Sequence, residues 1–100
     1  RIAKEQKQRP HNTQLKEVKF RPKIDQHDYD FKMKHIHRFL SQGHMVKATI
    51  MFRGREVVHP EYGRRILDRV VDELGATVRV DSAPRMEGRL MFMIITPRRD

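Results

Sequence analysis

No cysteine occurs anywhere in these 100 residues, which excludes disulfides and thiolate metal sites and suits a reducing cytosol. Nowhere does an apolar run approach the roughly 20 residues that cross a bilayer. With no signal-peptide or lipidation pattern either, the expectation is a cytoplasmic protein with no membrane role. Glycine is scarce, five in all, and none falls in a phosphate-binding fingerprint or a nucleophile elbow. Zinc-ligand spacings and acid–base constellations are missing as well. His35 and His37 stand two apart on what reads as a helix, so they diverge rather than converge on one metal. Asp25, His27, Asp28 and Asp30 contain enough oxygen for a hard cation, yet helix capping and solvation account for them. The chain therefore reads as a binding protein and not an enzyme, without metal or cofactor.

What the chain does have is positive charge. Charged residues make up 35% of it and the net charge is +9, a balance that favours polyanions, with nucleic acid the commonest such partner. A hundred residues form one domain with one core. The excess is uneven: residues 1–24 hold eight Lys or Arg against two Glu, and residues 25–100 hold fourteen against eleven acidic residues. In the folded part, arrangement must matter more than total charge. Residues 1–14 combine Arg1, Lys4, Lys7 and Arg9 with glutamines, Asn12 and Pro10, and they read as a basic interdomain linker, flexible or helical. Opening at Arg1 rather than a methionine, the sequence reads as a fragment or a processed product. Residues 98–100 form a short tail.

Between them, residues 15–97 alternate strand and helix signals. Leu15 to Arg21 is a strand with Val18 and Phe20 inward, stopped by Pro22, and its outward charges suggest an edge. Asp28 is an N-cap candidate for a helix over Tyr29–Gln42, buried along Tyr29, Met33, Ile36 and Leu40 and stopped by Gly43. Met45 to Phe52 is a strand with Val46, Ala48, Ile50 and Phe52 inward and Met45, Lys47, Thr49 and Met51 outward. Pro60 opens a second helix, with Ile66, Leu67, Val70, Val71 and Leu74 inward and Gly75 as its stop. A third strand spans Ala76–Val80, a polar turn spans Asp81–Gly88, and Leu90–Thr96 is a fourth strand, apolar on both faces and so central. The sum is an α/β (α+β) two-layer sandwich, β-α-β-α-β-β. Its four-stranded mixed sheet has the second and fourth strands central and both helices on one face. The other face is open and carries Met51, Met91 and Met93, as a contact patch or as ordinary mid-sheet side chains.

The strand ending in Met51-Phe52-Arg53-Gly54-Arg55-Glu56 organises the candidate site. Gly54 turns the backbone without a Cβ penalty, so Arg53 and Arg55 project from the strand end toward an anion such as a phosphate. A solvated turn with two surface arginines is the alternative. On the first helix Lys34 and Arg38 lie one turn apart near Phe31, a set able to clamp a phosphate and stack a base; alternatively Phe31 folds back onto the strand-to-helix loop. On the second helix Arg65 and Arg69 lie one turn apart, with Asp68 and Asp72 positioned to engage them in surface salt bridges instead.

Lys-Phe-Arg-Pro at 19–22, His-Asp-Tyr at 27–29, Arg-Phe-Leu at 38–40, Thr-Ile-Met-Phe-Arg-Gly-Arg-Glu at 49–56 and Glu-Gly-Arg at 87–89 occur in an order that resembles the C-terminal domain of bacterial translation initiation factor 3. The resemblance covers residues 15–97, and residues 1–14 resemble that family's linker. It implies a monomer that binds 16S ribosomal RNA on the small (30S) ribosomal subunit. It further implies a block on premature joining of the large (50S) subunit and support for initiator tRNA and start-codon selection on mRNA. It carries RNA contacts onto Arg21, Lys34, Arg38, Arg53, Arg55, Arg69 and Arg89. Position 34 is lysine where the family often has arginine, which keeps the charge and loses the planar fork. Ser82–Met86 departs from the family, as does Ile-Thr-Pro near the end where Leu-Ala-Pro is more usual. A general RNA-binding module without ribosome preference is the alternative function.

Overall fold

The computed structural model describes residues 13–98; residues 1–12 of the linker expected over 1–14 and the last two residues of the tail lie outside them. Six principal elements follow in order: β1 (Leu15–Phe20), α1 (Gln26–Ser41), β2 (Met45–Met51), α2 (Pro60–Leu74), β3 (Val78–Glu87) and β4 (Leu90–Pro97). Short 3-10 segments at Gly54–Val58 and Gly75–Thr77 flank α2. The sheet order is β1-β2-β4-β3, with β1 parallel to β2 and the other two pairings antiparallel. Both central strands and both edges are therefore where charge and hydropathy placed them, in an α+β sandwich.

One core lies between the sheet and the two helices. Tyr29, Met33 and Ile36 of α1 and Ile66, Leu67, Val70 and Leu74 of α2 meet Val18, Phe20, Val46, Ala48 and Ile50 of the sheet. Helical spacing of three and four residues on one side, and alternation on the other, bring these apolar sets face to face. Gly63 is buried where α2 crosses β2: a Cβ there would come within 2.7 Å of the Phe52 ring and 3.1 Å of Ile50. Only a residue without a side chain fits.

Three expectations are corrected. First, α1 begins at Gln26, a turn before the expected Tyr29, because Asp25 rather than Asp28 caps it: an Asp25 carboxylate oxygen accepts from the Asp28 N–H at 2.8 Å. Both aspartates suit a cap, and Asp28 then adds its charge to the first turn, where the helix dipole favours it. Second, β3 does not stop at Val80 but continues through the expected turn to Glu87. Register shifts at Val80/Ser82 and Ser82/Arg85 carry Pro84 through irregular backbone, where its missing N–H costs no ladder bond. Third, Met91 and Met93 face the helices, 7% and 1% exposed. Register decides this: Ile50 pairs with Met91 and Ala48 with Met93, and directly paired residues share a face. Leu90, Phe92 and Ile94 take the open face with Met51.

Candidate nucleic-acid interface

Because β1 and β2 are parallel with Phe20 opposite Ile50, their C-terminal ends coincide and Arg21 follows beside the end of β2. The Phe52 N–H donates to the Arg89 carbonyl at 2.9 Å, which seats the β3–β4 hairpin at the same sheet end. Gly54, at φ 53°, turns the chain there. A Glu56 carboxylate oxygen accepts from the Arg53 N–H at 2.8 Å, and the Glu56 N–H donates to the Arg53 carbonyl at 2.9 Å. This reciprocal pair closes the loop and leaves the Arg53 and Arg55 side chains exposed. Arg21, Arg53, Arg55 and Arg89 are thus gathered at one end of the sheet.

Arg21 is the least ordinary of the four. Its Nε is buried and has no hydrogen-bond partner among the described residues, a costly condition for a charged donor. The side chain lines a cavity of about 430 Å³ with Lys19, Lys23 and Lys32, opposed by Asp25 and Asp28. Asp25 is already committed to the helix cap. An anionic oxygen entering this cavity would supply the acceptor that Arg21 lacks.

Lys23 also lines a neighbouring cleft of about 360 Å³ with Pro22, Tyr62, Arg65, Ile66 and Arg69, a wall containing three cations and no carboxylate. Arg65 lies 5.5 Å from the centre of the Tyr62 ring. Arg69 lies 3.9 Å from that of Tyr29 and donates to the Gln26 amide oxygen at 2.6 Å. Aromatic and amide supports hold a guanidinium in place without neutralising it. The salt-bridge alternative for this helix falls to Arg64, which meets Asp68 at 3.5 Å. Beneath Arg69, burial and the nearby Glu73 carboxylate push the Tyr29 phenol up to about 12, although the guanidinium pulls the other way.

Arg38 stands apart from this gathering, with Lys34 one turn before it on α1. Arg38 occupies the last turn of α1, and a 16-residue helix is about 24 Å long. It contacts His35 at 3.1 Å and lies over Phe39 at 5.6 Å. Lys34 is exposed. Phe31 does not fold back onto the loop: it is 56% exposed and meets the His35 ring edge-on at 4.8 Å. Among the described residues the ion pairs are His59–Glu61, Arg64–Asp68 and Arg85–Glu87, and none involves the seven candidate cations. Lys19, Lys23, Lys32 and Arg65 join the surface although sequence reasoning left them outside the site. Only Arg65 carried a signal, its one-turn spacing from Arg69. No three His, Asp or Glu side chains converge as a metal site among the described residues.

The family model described as "Translation initiation factor IF-3, C-terminal domain" matches residues 13–98, all of the described residues. This chain belongs to the IF-3 family. Relatives named translation initiation factor IF-3 include that of Thermus thermophilus, 53% identical over 94 residues covering 94% of this chain and 55% of the relative. That of Methylobacterium radiotolerans is 49% identical over 94 residues, covering 94% of this chain and 54% of the relative. The IF-3 of Geobacter metallireducens is 47% identical over 94 residues, covering 94% and 55%. The chain spans about half the length of these curated relatives. IF-3 is a family of translation initiation factors and not of enzymes. Among the described residues of this IF-3 domain no helix is long and apolar enough to cross a membrane.

Proposed function

We propose that this domain binds the 16S ribosomal RNA of the 30S subunit in the cytoplasm. Its occupancy of that surface hinders premature joining of the 50S subunit while initiator tRNA and the mRNA start codon are selected. The observation that carries the reading is a set of guanidinium groups gathered at one sheet end and along the adjoining α2 cleft, none of them in an ion pair among the described residues. Their membership in an IF-3 chain supports ribosomal RNA as the target over nucleic acid in general. Arg21, Arg53, Arg55 and Arg89, with Arg65 and Arg69, would meet phosphates of a folded RNA surface; Lys34 and Arg38 would meet a second segment farther along α1. No bond is made or broken, so the mechanism is binding and steric exclusion.

The test is binding to purified 30S subunits, 50S subunits and protein-free 16S RNA across a salt series, with 30S–50S association followed by light scattering. Preferential 30S binding is expected, its log affinity falling with log salt by about 0.7 to 0.9 per phosphate contact. Equal affinity for all three would favour the general RNA-binding module instead.

A further inference from the structure

The open face of the sheet touches the cation cluster at its edge, where Lys19 and Met51 line the Arg21 cavity, and beyond that edge it has its own chemistry. Phe92 lies at its centre on β4. The Lys47 ammonium is 4.5 Å from the ring centre and the Arg85 guanidinium 5.5 Å. Leu90 and Ile94 flank the ring along the strand, and Met51 lies opposite Leu90. Register places Lys19 and Lys47, together with Arg79 and Arg85, on this face against Glu17 and Glu87. Neither carboxylate is idle: Glu17 accepts from the Thr49 hydroxyl at 2.8 Å, and Glu87 pairs with Arg85. Here, then, is an aromatic ring on a sheet face that no described element covers, with apolar neighbours and cations exceeding carboxylates.

We propose that this face is a second RNA-binding surface, taking a single-stranded segment whose base stacks at Phe92 while Lys47 shifts from the ring to a flanking phosphate and Arg85 exchanges Glu87 for another. Charge complementarity selects a polyanion. The single aromatic selects an unpaired base over a duplex, because the π-face of a paired base is already stacked within its helix. The two cations on the ring are long, flexible side chains, so an arriving base exchanges a cation–π contact for stacking and gains phosphate contacts with the same charges.

The proposal stands apart from the 30S reading, and the experiment keeps them separate. A fluorescein-labelled ten-nucleotide single-stranded RNA, and the same RNA annealed to its complement, would be titrated into the chain by fluorescence anisotropy. 30S binding would be measured in parallel. Phe92→Leu retains apolar bulk and removes the ring; Lys47→Gln removes one cation; thermal unfolding reports whether each variant folds. Expected is a roughly five- to tenfold loss of single-strand affinity in Phe92→Leu, near the lower end for one stacked base, with duplex and 30S binding unchanged. Lys47→Gln should lower single-strand affinity and flatten its salt dependence. Single-strand affinity equal to wild type in both folded variants overturns the proposal. So does dependence on Arg69 but not on Phe92, which would assign the oligonucleotide to the cation cluster. A self-associating chain whose dimer is lost in Phe92→Leu while RNA affinity is kept would give the face to a second copy, and equally overturns it.

Discussion

The Arg69 guanidinium lies 3.9 Å from the centre of the Tyr29 ring, so a cation offered to solvent on α2 rests on a fully buried aromatic of α1. The contact helps join the two helices of the layer, where the Tyr29 hydroxyl also donates to Glu73 at 3.4 Å. It also couples what the surface binds to how the core is packed, since the same arginine donates to Gln26 at the start of α1.

Arg69→Ala should therefore lower both properties. Loss of a cation–π contact of this kind costs about 0.5 to 2 kcal/mol of stability, and loss of a charged hydrogen bond to RNA costs about 1.5 to 3 kcal/mol of affinity. Arg38→Ala, exposed in the last turn of α1, should weaken 30S binding with little change in stability. Thermal unfolding alongside 30S titration separates the two variants; an Arg69→Ala domain as stable as wild type would show that the ring contact contributes nothing.

Arg21→Met should behave in the opposite sense. Its Nε is buried without an acceptor among the described residues, and an unsatisfied buried donor costs about 1 to 3 kcal/mol. Methionine of similar length removes that cost, so denaturant unfolding should give equal or greater stability while RNA affinity falls. A destabilised Arg21→Met domain would mean that the guanidinium supports the fold.

Gly63→Ala should destabilise, although alanine improves an exposed helix interior by about 1 kcal/mol. The new methyl would meet the buried Phe52 ring at 2.7 Å, and overpacking of this kind costs about 1 to 3 kcal/mol. A midpoint of urea unfolding lower than wild type is the expected result.

The Tyr29 phenol sets an alkaline limit. With its folded-state value pushed up to about 12 and an ordinary value near 10, the folded state holds its proton where the unfolded chain has lost it. Its contribution is full below pH about 10 and is lost as pH rises to about 12, by about 2 to 3 kcal/mol. Stability curves over that range should be flatter in Tyr29→Phe, and ultraviolet titration of the native domain should show a tyrosine ionising only near pH 12.

Local signals carried most of the architecture. Tyr29, Met33 and Ile36 on α1, Ile66, Leu67, Val70 and Leu74 on α2, and Val46, Ala48 and Ile50 on β2 are all buried as their periodicity requires, because each element's own repeat distinguishes its two sides. The ordered motifs from Lys19 to Arg89 likewise pointed to the family that the chain matches. Asp25 and Asp28 illustrate where local reading stops: both suit a cap, and backbone geometry alone chose between them.

What residue order by itself determined is the succession of elements, their inward stripes and the number of cations available, since these depend on neighbours within a turn or two. Folding alone decided which apolar side of β4 was covered, because a strand greasy on both faces has no preferred side until Ala48 and Ile50 pair with Met93 and Met91. It also decided that Arg21, Arg53, Arg55 and Arg89 share one end while Arg38 lies apart. Parallel pairing and a reversing hairpin bring distant residues together, and no period within one element encodes that meeting.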